Sequence, residues 1–300
     1  MSHELNIQWF PGHMTKAKRM IQTQLPLVDA ICEIVDARIP ESSRNPDVDE
    51  LVGDKKRLMI LNRVDQADPA LTEQWAKHYK AQGYAVLQTD CKSGKGVDKF
   101  PHILRVLLED RIKQNAAKGQ VGKPLRVMIL GIPNVGKSSF INRAAKRKAT
   151  TTSDRPGVTR GKQWIKIDDG LELLDTPGIL WPRFDSQTVG ENLAFTGAVR
   201  DEIMDRETLA ANLLLRLREQ AAEKITERYK FTPDPEANGY ELLETAARKR
   251  GFLISGGEVD MERMAAILLD EFRGGKLGRI TLEVPGEADE QTETQQKETM

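Results

Sequence analysis

The octet Gly131-Ile-Pro-Asn-Val-Gly-Lys-Ser138 follows directly on the apolar run LRVMIL (residues 125–130) and precedes a stretch of helical spacing. A strand that must turn into a helix through glycines constrains the fold more than any other feature of the chain. The glycines let successive backbone N–H groups close around phosphate oxygens, and the helix N-terminus adds a favourable dipole. Lys137 is expected to reach β- and γ-phosphates and the Ser138 hydroxyl to ligate Mg²⁺. Asn134, Val135, Gly136 and Ser139 complete the cradle.

Around this loop, short apolar runs at residues 31–36, 58–61, 85–88, 125–130, 163–167 and 171–174 alternate with helical patterns at 71–81 and 97–112. That alternation predicts an α/β fold with a doubly wound, mostly parallel sheet. The polar, Gly/Pro-punctuated residues 115–124 read as a connecting loop. Beyond residue 182 strand signals fade, and helices are expected at 188–199, 207–224, 236–250 and 261–272. The organisation expected is an N-terminal arm (1–28), a nucleotide-binding domain (29–183), an all-helical domain (184–283) and a disordered acidic tail (284–300).

Four further segments complete the chemistry. Asp175-Thr-Pro-Gly178 closes the apolar run 171–174; its acid suits a second Mg²⁺ anchor and its glycine N–H a γ-phosphate contact. In the polar loop 150–159 a threonine can close over the metal, Thr159 first and Thr150 to Thr152 as competitors. Asn62-Arg63-Val64-Asp65 ends the run 58–61 and resembles the guanine motif N-K-x-D. Asp65 would accept from the guanine N1–H and N2 amino edge, which rejects adenine. Asn62 would tie this loop to the phosphate loop, and Arg63 would lay its stem along the base. Asp90-Cys91-Lys92 occupies the place of an S-A-K loop supporting guanine O6. Ordinary GTPases run phosphate loop, switch threonine, D-x-x-G, N-K-x-D, S-A-K; here the last two come first. Cutting that fold open and joining its old ends through 115–124 restores every strand-to-loop placement, so the expected enzyme is a circularly permuted GTP hydrolase.

Composition narrows the rest. With 39% hydrophobic and 30% charged residues and no apolar run of membrane-spanning length, the chain reads as cytoplasmic, without membrane contact. Two cysteines, Cys32 and Cys91, make no disulfide framework or zinc site. Formal charge is zero from 45 basic and 45 acidic residues; the last fifteen residues hold five acids and one lysine, leaving +4 on the body. Basic clusters at Lys16-Lys18-Arg19, Arg143-Lys146-Arg147-Lys148, Arg248-Lys249-Arg250 and Arg273-Lys276-Arg279 are either solvated faces or the footprint of a polyanion.

The chain resembles the circularly permuted GTPases, and within them the bacterial ribosome-biogenesis branch. The resemblance runs from Ile7 to about Glu283 and is carried by Gln8-Trp-Phe-Pro-Gly-His-Met14, Val35-Asp-Ala-Arg-Ile-Pro40 with Ser43-Arg-Asn-Pro46, the octet, Asp154-Arg-Pro-Gly-Val-Thr159, the DTPG segment through Trp181, and Ser255-Gly-Gly257. It implies GTP and GDP as substrate and product, and a large ribosomal subunit precursor (rRNA and ribosomal proteins) as partner of a chain monomeric when free. The precursor would be bound late in maturation and left after hydrolysis. Ile179 follows Gly178 where many GTPases carry a water-positioning glutamine, so resemblance and chemistry together suggest His13 for that water. A structural or RNA-facing histidine is the alternative. Asn134 resembles the asparagine of potassium-activated GTPases, with K⁺ between α- and γ-phosphates; a loop-stabilising asparagine is the alternative. Rival functions are an RNA-placement switch with negligible hydrolysis and a signalling GTPase with a protein partner.

Overall fold

The computed structural model describes residues 14–146, 163–178, 180, 184, 186–199 and 205–286. They fall into two compact units, one within Phe10–Pro182 and from Glu283 on, the other within Arg183–Leu282.

The first unit opens with α1 (Met14–Gln24), then β1 (Ala30–Asp36), α2 (Asp47–Val52), β2 (Lys56–Asn62), α3 (Pro69–Ala81) and β3 (Ala85–Thr89). There follow α4 (Phe100–Leu107), α5 (Glu109–Ala117), β4 (Leu125–Leu130), α6 (Lys137–Ala144), β5 (Gln163–Asp168) and β6 (Leu171–Asp175). The sheet has the order β3-β2-β1-β4-β6-β5, parallel throughout except for the β5–β6 hairpin. This is the expected fold class. The two halves of the permuted order lie side by side, joined by the β1–β4 pairing. Strand order reverses direction there, and in open α/β sheets the crevice outside the carboxyl ends at such a switch point binds ligands. Four of the expected site segments emerge from carboxyl ends: β2, β3, β4 and β6 end at Asn62, Thr89, Leu130 and Asp175.

Central β1 is buried at every position because helices cover both faces of a parallel sheet. Its alternation places Ile31, Glu33 and Val35 on one face. There Ile31 packs with Ile21, Val48, Met128 and Leu130, and Val35 with Met59, Leu61, Trp75 and Tyr79. Glu33 is thus a carboxyl between two apolar clusters. Both its oxygens lack a hydrogen-bond partner among the described residues, and Arg44 Nε stands 3.8 Å from Oε1. Burial pushes its carboxyl up to about 7, against the attraction of Arg44 and Arg57. A folded value above the unfolded one means that the native state holds this proton more tightly. Its contribution to stability is present below about pH 4.5 and is lost as pH rises through 7. Glu33→Gln should remove that dependence. Between pH 5 and 8 the wild type should lose roughly 2–3 kcal/mol more than the variant, measured by urea-dependent hydrogen exchange of the β1 amides. Equal losses would show that Glu33 does not titrate in that window.

The single helix expected over 97–112 is two helices meeting at Leu108, whose φ of −106° and ψ of 20° are not helical. Leu104 and Leu108 are buried, while Val106 and Ile112 on the far side are exposed, so the apolar spacing overstated one continuous face. Helix α5 also runs to Ala117, into the segment read as loop.

The second unit holds α7 (Gln187–Phe195), α8 (Arg206–Tyr229), α9 (Gly239–Lys249) and α10 (Met261–Arg273). Side chains of Ser186, Asp205, Asn238 and Asp260 cap the four N-termini, each accepting from a first-turn amide. Glu271 of α10, buried, accepts from Tyr229 Oη at 2.9 Å and from Arg228 of α8. Single residues of two basic clusters act as internal fasteners: Arg273 donates to the carbonyls of Ala194 and Phe195 at the end of α7, and Arg250 faces the buried Glu271, while Arg248 makes an exposed pair with Glu244 of its own helix. No helix among the described residues is long and apolar enough to cross a membrane.

Candidate nucleotide-binding site

The phosphate loop leaves β4 and enters α6 at Lys137 through Gly136, whose φ is +95°. A Cβ on Gly136 would lie 2.3 Å from Asn62 Nδ2, so both conformation and space require glycine. Asn62, buried at the end of β2, donates from Nδ2 to Val135 O at 2.9 Å. Its Oδ1 accepts from Thr89 Oγ1 at 3.2 Å and from Cys91 Sγ at 3.0 Å. One amide side chain therefore joins the segments of β2, β3 and β4.

Arg63 reaches out of its own loop. Its φ of 63° turns the side chain toward the phosphate loop, where Nη2 donates to Asn134 O at 2.8 Å. Asp65, two residues on, is exposed and meets no hydrogen-bond partner among the described residues. The carboxylate expected to read the base is at the surface of the loop that Asn62 anchors.

The loop after β3 is organised by Asp90. Its Oδ1 accepts from the amides of Lys92 at 2.8 Å and Ser93 at 3.2 Å. Burial opposes the charge, but the Ser93 hydroxyl together with those amides holds its carboxyl below the usual carboxylate range. With Asp90 N–H given to Lys95 O, Gly94 N–H to Asp90 O and Lys95 N–H to Ser93 Oγ, the Cys91 N–H alone of residues 90–95 meets no acceptor among the described residues. That leaves one backbone donor for a guanine O6. Asp90 in place of serine thus keeps the turn, and Cys91 in place of alanine adds a thiol bond to Asn62. Burial pushes that thiol up to about 12, so it stays protonated and donates. Arg143, from the basic cluster of α6, donates to Lys92 O at 2.7 Å and secures the same loop.

At the other end, Lys137 is buried and its ammonium donates to Asp175 Oδ1 at 2.9 Å and to Thr176 O. Thr176 Oγ1 ties the segment to Ile129 O at 2.7 Å. Gly178 passes so close to the phosphate loop that a Cβ would lie 3.0 Å from Pro133 N. Asp175 Oδ2 is buried without a hydrogen-bond partner among the described residues. An unsatisfied carboxylate oxygen on a residue that Lys137 touches, with the Ser138 hydroxyl next in sequence, is a donor set of the kind a hard divalent cation takes. Ser138 and Asp175 would hold Mg²⁺, which when bound neutralises charge on the β- and γ-phosphates. Ser139 is exposed in the first turn of α6. His13, Thr159, its competitors Thr150 to Thr152, and Ile179 lie outside the described residues.

Sequence reasoning gave no role to Asp36, at the end of β1. It accepts from Arg38 through N–H at 3.0 Å, Nε at 2.9 Å and Nη2 at 2.7 Å, the two side chains being almost fully buried. Its own N–H donates to Ser43 Oγ at 2.9 Å, and Oδ2 lies 3.5 Å from Arg63 Nε. The two-residue spacing of D-A-R, which allows such a bidentate pair, was the available signal.

Together the strand order, the loop 131–138, the acid closing β6 and the loop 62–65 tied across to Val135 define a P-loop GTPase with permuted motifs. A family described as a 50S ribosome-binding GTPase matches residues 126–233. That match begins in β4 and leaves 62–65 outside it, as a permuted order requires. The chain is 46% identical to the ribosome biogenesis GTPase A of Priestia megaterium over 288 residues, covering 95% of this chain and 99% of the relative. Among solved structures it is similar to YlqF of Thermotoga maritima with GNP bound (TM-score 0.61, 31% identity, covering 90% of this chain and 99% of the other). A GDP-bound YlqF structure gives a TM-score of 0.64 at 30% identity, covering 89% and 99%. This chain belongs to the ribosome biogenesis GTPase A family, and it is a GTP-hydrolysing P-loop enzyme.

Proposed function

We propose that this GTPase is an assembly checkpoint in late maturation of the large ribosomal subunit: it binds the precursor with GTP, hydrolyses GTP on it, and leaves with GDP. The observation that supports the nucleotide reading is the Asn62 Nδ2–Val135 O bond, which ties the loop that would read the base to the phosphate loop. The ribosomal reading is supported by the relatives' names and by the family described as binding the 50S ribosome. The partner is the precursor's rRNA and proteins, the chain is monomeric when free, and the compartment is the cytoplasm. The units within 29–183 and 184–283 act as nucleotide switch and RNA-contacting domain, with 1–28 an arm and 284–300 an acidic tail.

In this reading Lys137 offers positive charge to the β- and γ-phosphates, the cradle amides of Val135 to Ser139 and Gly178 hold their oxygens, and Thr159 would join Ser138 and Asp175 in holding Mg²⁺. The aliphatic Ile179 cannot orient water, so His13 accepts a hydrogen bond from the attacking water once the precursor moves it into place. Asn134 would hold a K⁺, which would supply charge that an arginine would otherwise bring.

Single-turnover phosphate release with purified precursor tests this. Precursor should accelerate release by at least about tenfold, His13→Ala should remove on the order of 10²-fold from the stimulated rate, and KCl should exceed NaCl. The particle should co-sediment with the protein in a GTP analogue and not in GDP. Precursor without effect on the rate sinks the checkpoint, an unchanged His13→Ala sinks the water assignment, and equal rates in the two salts sink the K⁺ site.

A further inference from the structure

Two non-glycine residues of the site sit in the left-handed region: Arg63 at φ 63° and Asn134 at φ 60°. Each such residue carries a conformational cost of about 1 kcal/mol or more and persists only where its surroundings hold it. These two are clipped to one another, because Arg63 Nη2 donates to Asn134 O at 2.8 Å. One strained turn belongs to the base-reading loop and the other to the phosphate loop. The clip itself needs an anchor: the Arg63 side chain is about a quarter exposed and has rotamer freedom to lose.

The anchor is Asp36. Its carboxylate lies 3.5 Å from Arg63 Nε, and it is itself immobilised by the buried Arg38 fork and by the Ser43 hydroxyl bonded to its amide. The next amide, Ala37 N–H, donates to Asn62 O at 2.9 Å, so the end of β1 also grips the backbone of the 62–65 loop. Resting on the nucleotide reading of this site, we infer that Asp36 is a positioning residue. It orients Arg63 so that the guanidinium locks Asn134, and it thereby sets how slowly the nucleotide leaves. The D-A-R segment touches neither base nor phosphate in this assignment; it acts through Arg63. The charge on Asp36 matters as well as its shape, because a carboxylate attracts two guanidinium groups at once and an amide cannot.

The experiment measures release of a fluorescent GDP analogue from the full-length protein carrying Asp36→Asn, Arg63→Ala and both substitutions, alongside their nucleotide-free melting temperatures. Each single variant should release GDP about tenfold faster, and the double variant no faster than either single one, since both remove one shared interaction. A solely structural Asp36 would lower the melting temperature while its effect on release multiplied with that of Arg63→Ala. Such multiplication, or wild-type release from Asp36→Asn, overturns the inference. Should Asp36→Asn fail to fold, Arg63→Met keeps the stem and deletes the guanidinium at a half-buried position. It should release GDP about tenfold faster at an unchanged nucleotide-free melting temperature, and wild-type release overturns the inference there too. Asp65→Asn serves as the control for the site: if it too binds GDP normally, the nucleotide reading itself has failed, whereas altered base preference with normal release from the Asp36 variants condemns the positioning role alone.

Discussion

Asp65→Asn should change which base this enzyme takes: GTP binding falls by roughly four orders of magnitude, while xanthosine triphosphate becomes the better substrate. Asp65 is exposed at the tip of a loop otherwise held at every turn, by Asn62 to Val135, by Arg63 to Asn134 and by the Val64 amide to Thr89 O. The carboxylate is preorganised but open to a ligand, the condition for recognition by two parallel hydrogen bonds. Guanine offers two donors to those two oxygens. An amide offers one donor and one acceptor, which clashes with the guanine amino group and matches the xanthine carbonyl. The substitution leaves the phosphate cradle intact, so hydrolysis of the xanthine nucleotide should proceed within about tenfold of the native rate. Competition of GTP and XTP against a labelled nucleotide reads both quantities. Undiminished GTP affinity in the variant would place base recognition elsewhere.

The octet and the acid closing β6 were legible because their chemistry is local: a strand, glycines and a helix start within a dozen residues. The sheet followed from apolar runs of the right length, and the permutation from motif order alone. What stayed hidden involves pairs distant in sequence or charges inside apolar runs. Arg63 looked like a tolerated replacement for lysine, since nothing along the chain says that residue 134 will present its carbonyl to it. Asp36 and Glu33 both lie in ICEIVD, where alternation and central placement bury every residue. Only the arrival of Arg38 and Arg63 at one, and of Arg44 at the other, explains how the sheet accommodates them. Glu283 is a still longer case: it accepts from the Glu41 amide at 2.7 Å and the Ser42 amide at 3.0 Å, and its carbonyl accepts from Trp75 Nε1 at 3.0 Å, across more than 200 residues of chain. Pattern reading left it at a domain edge because a single glutamate after an apolar strap carries no period. The break at Leu108 was missed for the opposite reason, since the apolar spacing continued through a point where the backbone does not.

Lys137→Ala should abolish turnover, lowering GTP hydrolysis by at least about 10³-fold and weakening the binding of GDP as well as GTP, because in the proposed site the ammonium serves bound phosphates as well as the transition state. The structure adds a second consequence. Lys137 is the cation that Asp175 Oδ1 faces in a fully buried setting, and the other oxygen of Asp175 already lacks a hydrogen-bond partner among the described residues. Removing the lysine strands a buried carboxylate, for which the expected penalty is about 3–5 kcal/mol in nucleotide-free protein. The two effects separate on a double variant. Asp175→Asn beside Lys137→Ala removes the stranded charge and should restore most of the lost stability, yet on the proposed roles it should not restore hydrolysis, since the lysine charge does not return and the carboxylate proposed to hold Mg²⁺ is gone. Thermal unfolding without nucleotide should therefore recover in the double variant, while phosphate release with GTP stays lost in both. If the double variant remains as unstable as Lys137→Ala, the Lys137–Asp175 pair is not what stabilises the nucleotide-free protein.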